Sequence, residues 1–89
     1  MKAIVTVVGN DNVGIIAAVC LRLSQHNVNI LDISQTILQE KFTMIMVVDL
    51  ATSKSDFKAL ADDLKALGQE MNLSIRMQRE EIFDAMHTI

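Results

Sequence analysis

The chain has 89 residues, of which 51% are hydrophobic and only 3% aromatic, with no Trp, Tyr or Pro. That length holds one domain, residues 1–89, and so much aliphatic surface in so small a body points to a subunit boundary. Eight basic and eleven acidic residues give a net charge of −3, which removes any electrostatic basis for binding nucleic acid.

No apolar run reaches the roughly eighteen residues of a membrane span, and the first residues lead into a strand pattern instead of a signal peptide. The single Cys20 cannot form an internal disulfide, in keeping with a reducing compartment, so a cytoplasmic protein is expected.

In chain order, AIVTVV (3–8) is short and β-branched and stops at Gly9, which predicts a first strand. From Val13 to about His26 the apolar residues Ile15, Ile16, Val19, Cys20 and Leu23 fall at helical spacing, with Asp11 or Asn12 as the cap. VNILDISQTILQ carries no helical stripe and reads as a second strand. QEK then turns the chain into FTMIMVVDL, the third.

The polar patch ATSKSD opens a second helix bearing Phe57, Leu60, Ala61, Leu64 and Leu67, with Ser53 or Ser55 as its cap and Gly68 interrupting or ending it. LSIRMQ alternates as a fourth strand. The tail EEIFDAMHTI places Ile82, Phe83, Met86 and Ile89 on one face of a short docked helix, about 80–88.

This order, β-α-β-β-α-β plus a tail, predicts an α+β ferredoxin-like sandwich: a four-stranded antiparallel sheet with both helices on one face. The first and third strands are then central, matching their apolar residues on both faces. The face without helices needs a second cover, which predicts a homodimer.

The stretch VVGNDNVGII falls where the first strand meets the first helix. There, unpaired backbone N–H groups and the helix dipole favour an anion, while Gly9 and Gly14 allow close approach to the backbone. On a plainer reading Gly9 permits a turn, Asp11 caps the helix and Gly14 lets it pack. Phosphate and dinucleotide motifs are absent.

Cys20 reads as a small core residue, and His26 as a helix-end residue favoured by the dipole. Asp32 marks an interface, a bulge or a hydrogen bond. Met44, Met46 and Met77 read as core or interface fillers. No spacing joins Cys20, His26, Asp32 and His87 into a metal site, and no nucleophile–base pair stands out, so neither cofactor nor catalysis is expected.

VVGNDNVGIIAAV, then NVNILDISQ and FTMIMVVDL, with the ending IFDAMHTI, resemble the ACT domain family over almost the whole chain. The likeness is strongest to short bacterial proteins made of one ACT domain, and extends to the ACT domains of glycine-cleavage regulators and formyltetrahydrofolate deformylases. It implies a non-catalytic regulatory module, usually dimeric, that senses a small amino acid or related metabolite and acts on a regulated protein partner.

Carried over by position, the implied ligand site comprises Gly9, Asn10, Asp11, Asn12, Val13, Gly14 and Ile15, with Asn29, Ile30 and Leu31 from a second copy. Val13 stands where many members have proline. On this reading backbone N–H groups from Asn12 to Ile15 hold an α-carboxylate, while Asp11 and Asn29 address the amino group or side chain. The alternative is an interaction adaptor whose ligand site is vestigial.

Overall fold

The computed structural model describes residues 1–10 and 12–82. Six elements follow one another: β1 (Lys2–Asn10), α1 (Ile15–Gln25), β2 (Asn29–Leu38), β3 (Lys41–Asp49), α2 (Phe57–Met71) and β4 (Ser74–Arg79). They form one antiparallel sheet in the order β2-β3-β1-β4, the expected ferredoxin-like arrangement with β1 and β3 in the middle. A helical segment begins at Glu80 and continues through Ile82, where the described residues end. Phe83, Met86, His87 and Ile89 of the expected tail helix lie outside them.

Alternation sorts β1 and β3 into two faces. Ala3, Val5 and Val7 pair with Val48, Met46 and Met44, and all six are fully buried beneath the helices. Upon this floor α1 lays Ile15, Val19 and Leu23, and α2 lays Leu60, Leu64 and Leu67, so one cluster joins both helices to the sheet. Met44 and Met46 are core residues and Met77 packs against the core, as their sequence pattern indicated.

The opposite face carries Ile4, Val8, Ile45 and Val47, of which Ile4 is buried and Val8 and Ile45 are exposed.

The turns depart from the sequence reading in instructive ways. β1 does not stop at Gly9 but runs to Asn10, because Gly9 and Asn10 still pair with Phe42 and Lys41. Helix α1 therefore starts later than expected, at Ile15, with Gly14 as its cap residue in the left-handed region at φ 89°. Asn12 lies ahead of the cap position, and Asp11 is outside the described residues. Neither Ser53 nor Ser55 caps α2. Asp56 does, its Oδ1 accepting from Ala59 N–H at 2.8 Å, because Ser53 Oγ instead closes a loop with Ser55.

Gly68 lies inside α2, which ends at Asn72 in a left-handed cap (φ 62°). Between β2 and β3 a two-residue turn, Gln39 and Glu40, has positive φ at both positions, the geometry that matches strand twist in a tight hairpin.

Gly68 is required by close packing. A Cβ there would stand 2.7 Å from the Leu73 carbonyl oxygen and 3.3 Å from Ile75 Cγ1, where the chain doubles back into β4. We expect Gly68→Ala to destabilise the fold in urea denaturation, because overpacking costs about 1–3 kcal/mol and outweighs the helix-propensity gain of about 1 kcal/mol. Gly9→Ala should cost less, since its first obstacle is Leu73 Cδ2, the end of a side chain that can rotate away. Equal losses would contradict this account.

Candidate functional site

The late start of α1 shapes the site. Gly14 offers no side chain to cap the helix, so backbone N–H groups of its first turn face outward without a side-chain acceptor from the cap residue. They border a cavity of about 320 Å³ lined by Asn12, Gly14, Ile15, Ile16 and Ala17 on one side, and by Gln35, Ile37 and Phe42 on the other. Its described lining is uncharged: an apolar floor, two amide side chains and a helix N-terminus with partial positive charge. Such a lining suits a small ligand with one anionic end and an aliphatic part.

The expected site residues separate into groups. Asn12, Gly14 and Ile15 line this cavity. Val13 projects from the turn, fully exposed. Asn10 is turned towards the hairpin, where its Oδ1 accepts from Lys41 Nζ at 3.1 Å. Gly9 is a paired residue of β1, and the space a Cβ would occupy there lies against Leu73 and the Asn72 carbonyl.

Asn29 and Ile30 line a different cavity, of about 540 Å³, together with Cys20, Ser24, Asn27, Val28 and Thr52 at the far end of α1. Leu31 is the extra residue of a β-bulge, between Ile30 paired to Val48 and Asp32 paired to Val47. The bulge sits beside Asp32, whose Oδ1 accepts from the Ile33 N–H at 2.9 Å. Within one chain the two halves of the expected site thus lie towards opposite ends of α1, an eleven-residue helix about 16 Å long.

Gln35, Ile37 and Phe42 escaped the sequence reading. They join the turn only because β2 and β3 come alongside α1. From the bulge to the hairpin β2 is exposed, including Ile33 (40%) and Ile37 (55%), which share the helix-side face with buried Met46 and Phe42. β2 is an edge strand, and beyond the bulge its apolar residues Ile33, Ile37 and Leu38 are exposed.

At its C-terminal end α1 is tied to α2 by side chains that the sequence reading also missed. Asp63 accepts from Arg22 Nη1 through Oδ1 and from His26 Nε2 through Oδ2, both at 2.6 Å. Since a carboxylate only accepts, Nε2 carries the proton. In the neutral ring Nδ1 then accepts from Ser55 Oγ–H at 2.7 Å. His26 does occupy the cap position of α1, but its imidazole is committed across the helix pair.

The connectivity Ser55–His26–Asp63 is that of a proton relay, yet Arg22 also holds the carboxylate and the cavities described above are lined by other residues. The arrangement is a clasp. Its one sequence signal was the i, i+4 spacing of Arg22 and His26 on a single helix face. Among the described residues no group of three His, Cys, Asp or Glu side chains could hold a metal ion, and no helix is long and apolar enough to cross a membrane.

Fold and cavity together define a ferredoxin-like βαββαβ domain in which a helix start with no side-chain cap from Gly14 borders a small cavity beside the edge strand β2. The sequence model of the ACT domain matches residues 2–78, and the chain belongs to that family, whose members are generally regulatory and non-catalytic.

A UPF0237 protein of Bifidobacterium longum is 59% identical over 88 residues, covering 99% of this chain and 98% of that one. Among solved structures, an ACT domain protein from Streptococcus pneumoniae superposes with a TM-score of 0.82 at 44% identity, over 100% of this chain and 97% of the other. A putative glycine cleavage system transcriptional repressor matches with a TM-score of 0.74 at 27% identity, over 86% of this chain and 44% of that one. A formyltetrahydrofolate deformylase from Pseudomonas syringae shares the fold, with a TM-score of 0.80 at 22% identity over 88% and 27% of the respective chains.

The clasp has a definite pH signature. The hydrogen bond from His26 and the adjacent charge of Arg22 hold the Asp63 carboxyl below its ordinary value, against the opposing effect of partial burial. A carboxylate held lower in the folded chain contributes stability that is fully present above the unfolded value of about 3.9 and is lost as pH falls through the folded one. Asp63→Asn should therefore lower stability at neutral pH, by about 1–2 kcal/mol for partly exposed charge-assisted bonds, and flatten the acid limb of the stability–pH curve. Chemical denaturation from pH 7 down to 3 measures both, and an unchanged acid limb would refute the assignment.

Proposed function

We propose that the chain is a non-catalytic ACT module that works as a cytoplasmic homodimer and senses a small amino acid or related metabolite. The observation that carries this reading is the position of the α1 start, which has no side-chain cap from Gly14 and opens onto a cavity lined by Gln35 and Ile37 of the edge strand β2. An α-carboxylate accepts from the N–H groups of the first turn, Gln35 and Asn12 meet the polar remainder, and Phe42, Ile15 and Ile37 receive the aliphatic part. Asp11, in the same turn by sequence, supplies the negative charge for the ammonium group.

The separation of the two half-sites supports the dimer. Antiparallel pairing of β2 with β2 of a second copy, about a two-fold axis near residues 34–35, lays residues 29–31 of one copy opposite residues 38–40 of the other. Asn29, Ile30 and Leu31 then reach the cavity at the second copy's α1 start, and Ile33 and Ile37 gain cover. A small ligand bridging two copies stabilises their relative position and passes a bias to a regulated partner through its differential affinity for two states.

Two measurements test this. Calorimetric titration against the common amino acids should find one that binds, with affinity lost in Asp11→Ala and weakened in Asn29→Ala; no binder, or unaltered constants, would overturn the ligand site. Sedimentation equilibrium should give twice the 9.9 kDa chain mass at micromolar concentration, and Ile33→Glu, at a residue exposed in the single chain, should shift the protein to monomer without unfolding it. A wild-type monomer at that concentration would overturn the dimer.

A further inference from the structure

One buried residue stands apart from the core. Among the described residues every buried hydrophobic side chain belongs to the cluster that joins the helices to the sheet, except Ile4, which is only 5% exposed on the opposite face. Its neighbours there are Lys2 and Thr6 along β1, Val47 across on β3 and Gln78 across on β4. Strand neighbours shield the flanks of such a side chain, but its tip needs a layer above the sheet.

The burial is graded along this face. Exposure rises from Ile4 through the half-buried Thr6 to Val8 (42%), and in the same direction from the half-buried Val47 to Ile45 (38%). The covered end is the one where the chain leaves β4, since Gln78 and Arg79 pair with Ile4 and Ala3.

At that end the helical segment starts at Glu80, directly after β4. Glu80 and Glu81 in its first turn suit the positive end of the peptide dipole, and residues 80–89 contain no Gly or Pro that would stop a helix. Phe83, Met86 and Ile89 follow one another at helical spacing with Ile82, which is 49% exposed where the segment enters from the edge strand, while Asp84 and Thr88 fall on the opposite side. Ten helical residues extend about 15 Å, and β1 and β3 lie about 5 and 10 Å from β4 across the sheet. The segment is long enough to span both.

We propose that residues 80–89 of the same chain are the cover of the helix-free face, crossing from β4 over β1 and β3 and setting Phe83 against Ile4, and Met86 and Ile89 against Val47 and Ile45. Attachment favours this occupant over any other. Gln78, the cross-strand neighbour of Ile4, precedes Glu80 by two positions, and a segment tethered so closely has an effective concentration of about millimolar or more, well above that of a second copy at micromolar. The tail thereby closes the helix-free face to a second copy and leaves the edge of β2 for pairing. The inference does not rest on the metabolite site.

Nuclear Overhauser contacts in the full chain, deuterated except for Phe rings and the methyl groups of Ile, Val and Met, test it. The chain has three Phe, and the other two, Phe42 and Phe57, pack into the cluster on the helix side, so a contact from a Phe ring to the Ile4 methyls reports Phe83. The expected result is that contact, together with one from Met86 to Val47 or Ile45, both kept relative to contacts inside the sheet when the chain is refolded with excess fully deuterated protein. Phe83→Asp should shift the Ile4 and Val47 methyl signals and raise the binding of a hydrophobic dye several-fold, with the Asn29–Leu38 amides unchanged and Phe83→Leu restoring the wild-type behaviour. Contacts of Phe83 with α1 or α2, no contact with Ile4, loss of the contact on refolding with deuterated chain, which marks a tail exchanged between copies, or unmoved Ile4 methyls in Phe83→Asp would each overturn the proposal. Should Phe83→Asp fail to fold, the contacts in the wild-type chain decide alone.

Discussion

The antiparallel pairing of β1 with β3 is the constraint on which the rest depends. Nine residue pairs, from Lys2↔Asp49 to Asn10↔Lys41, join the two strands in the middle of the sheet, and their helix-side residues are the floor of the core. Burying Ala3, Val5, Val7, Met44, Met46 and Val48 against α1 and α2 removes apolar surface that neither strand could hide alone. Carrying the pairing through to Asn10 also determines where β1 releases the chain. That postpones the start of α1 to Ile15 and leaves its first turn open.

Helix α1 is consequently held very differently at its two ends. At its C-terminus Arg22 and His26 reach Asp63, and the neighbouring loops are stitched together by Asn27 and Thr52 and by Lys54 N–H donating to the His26 carbonyl at 2.9 Å. At its N-terminus there is a positive-φ glycine and no side-chain cap from it. A helix fixed at one end presents the N–H groups of its first turn at a defined place, and a helix start of this kind favours an anion. The clasp thus fixes α1 at the end away from the cavity lined by Asn12, Gly14 and Ile15.

Both edges of the sheet also follow from the central pairing, but they differ in chemistry. β2 is long, rich in aliphatic residues and exposed on both faces from the bulge to the hairpin, with Asp32 its one charged residue. β4 is short and basic. The two edges of one small sheet thus differ in length, hydropathy and charge.

Element order, the two central strands and the location of the strand–helix turn were legible in the sequence because alternation and helical spacing are local signals of one-sided burial. Leu60, Leu64 and Leu67 announce their helix without reference to anything else. The caps were not legible: Asp11, Asn12, Ser53 and Ser55 are all plausible by type, and which residue caps depends on how far the preceding strand or loop stays paired. The Asp63 clasp, the contribution of Gln35 and Ile37 to the cavity, and the placement of Asn29 at the far end of α1 join residues distant in the chain. Sheet order and register alone make such residues neighbours, so only the tertiary structure could decide them.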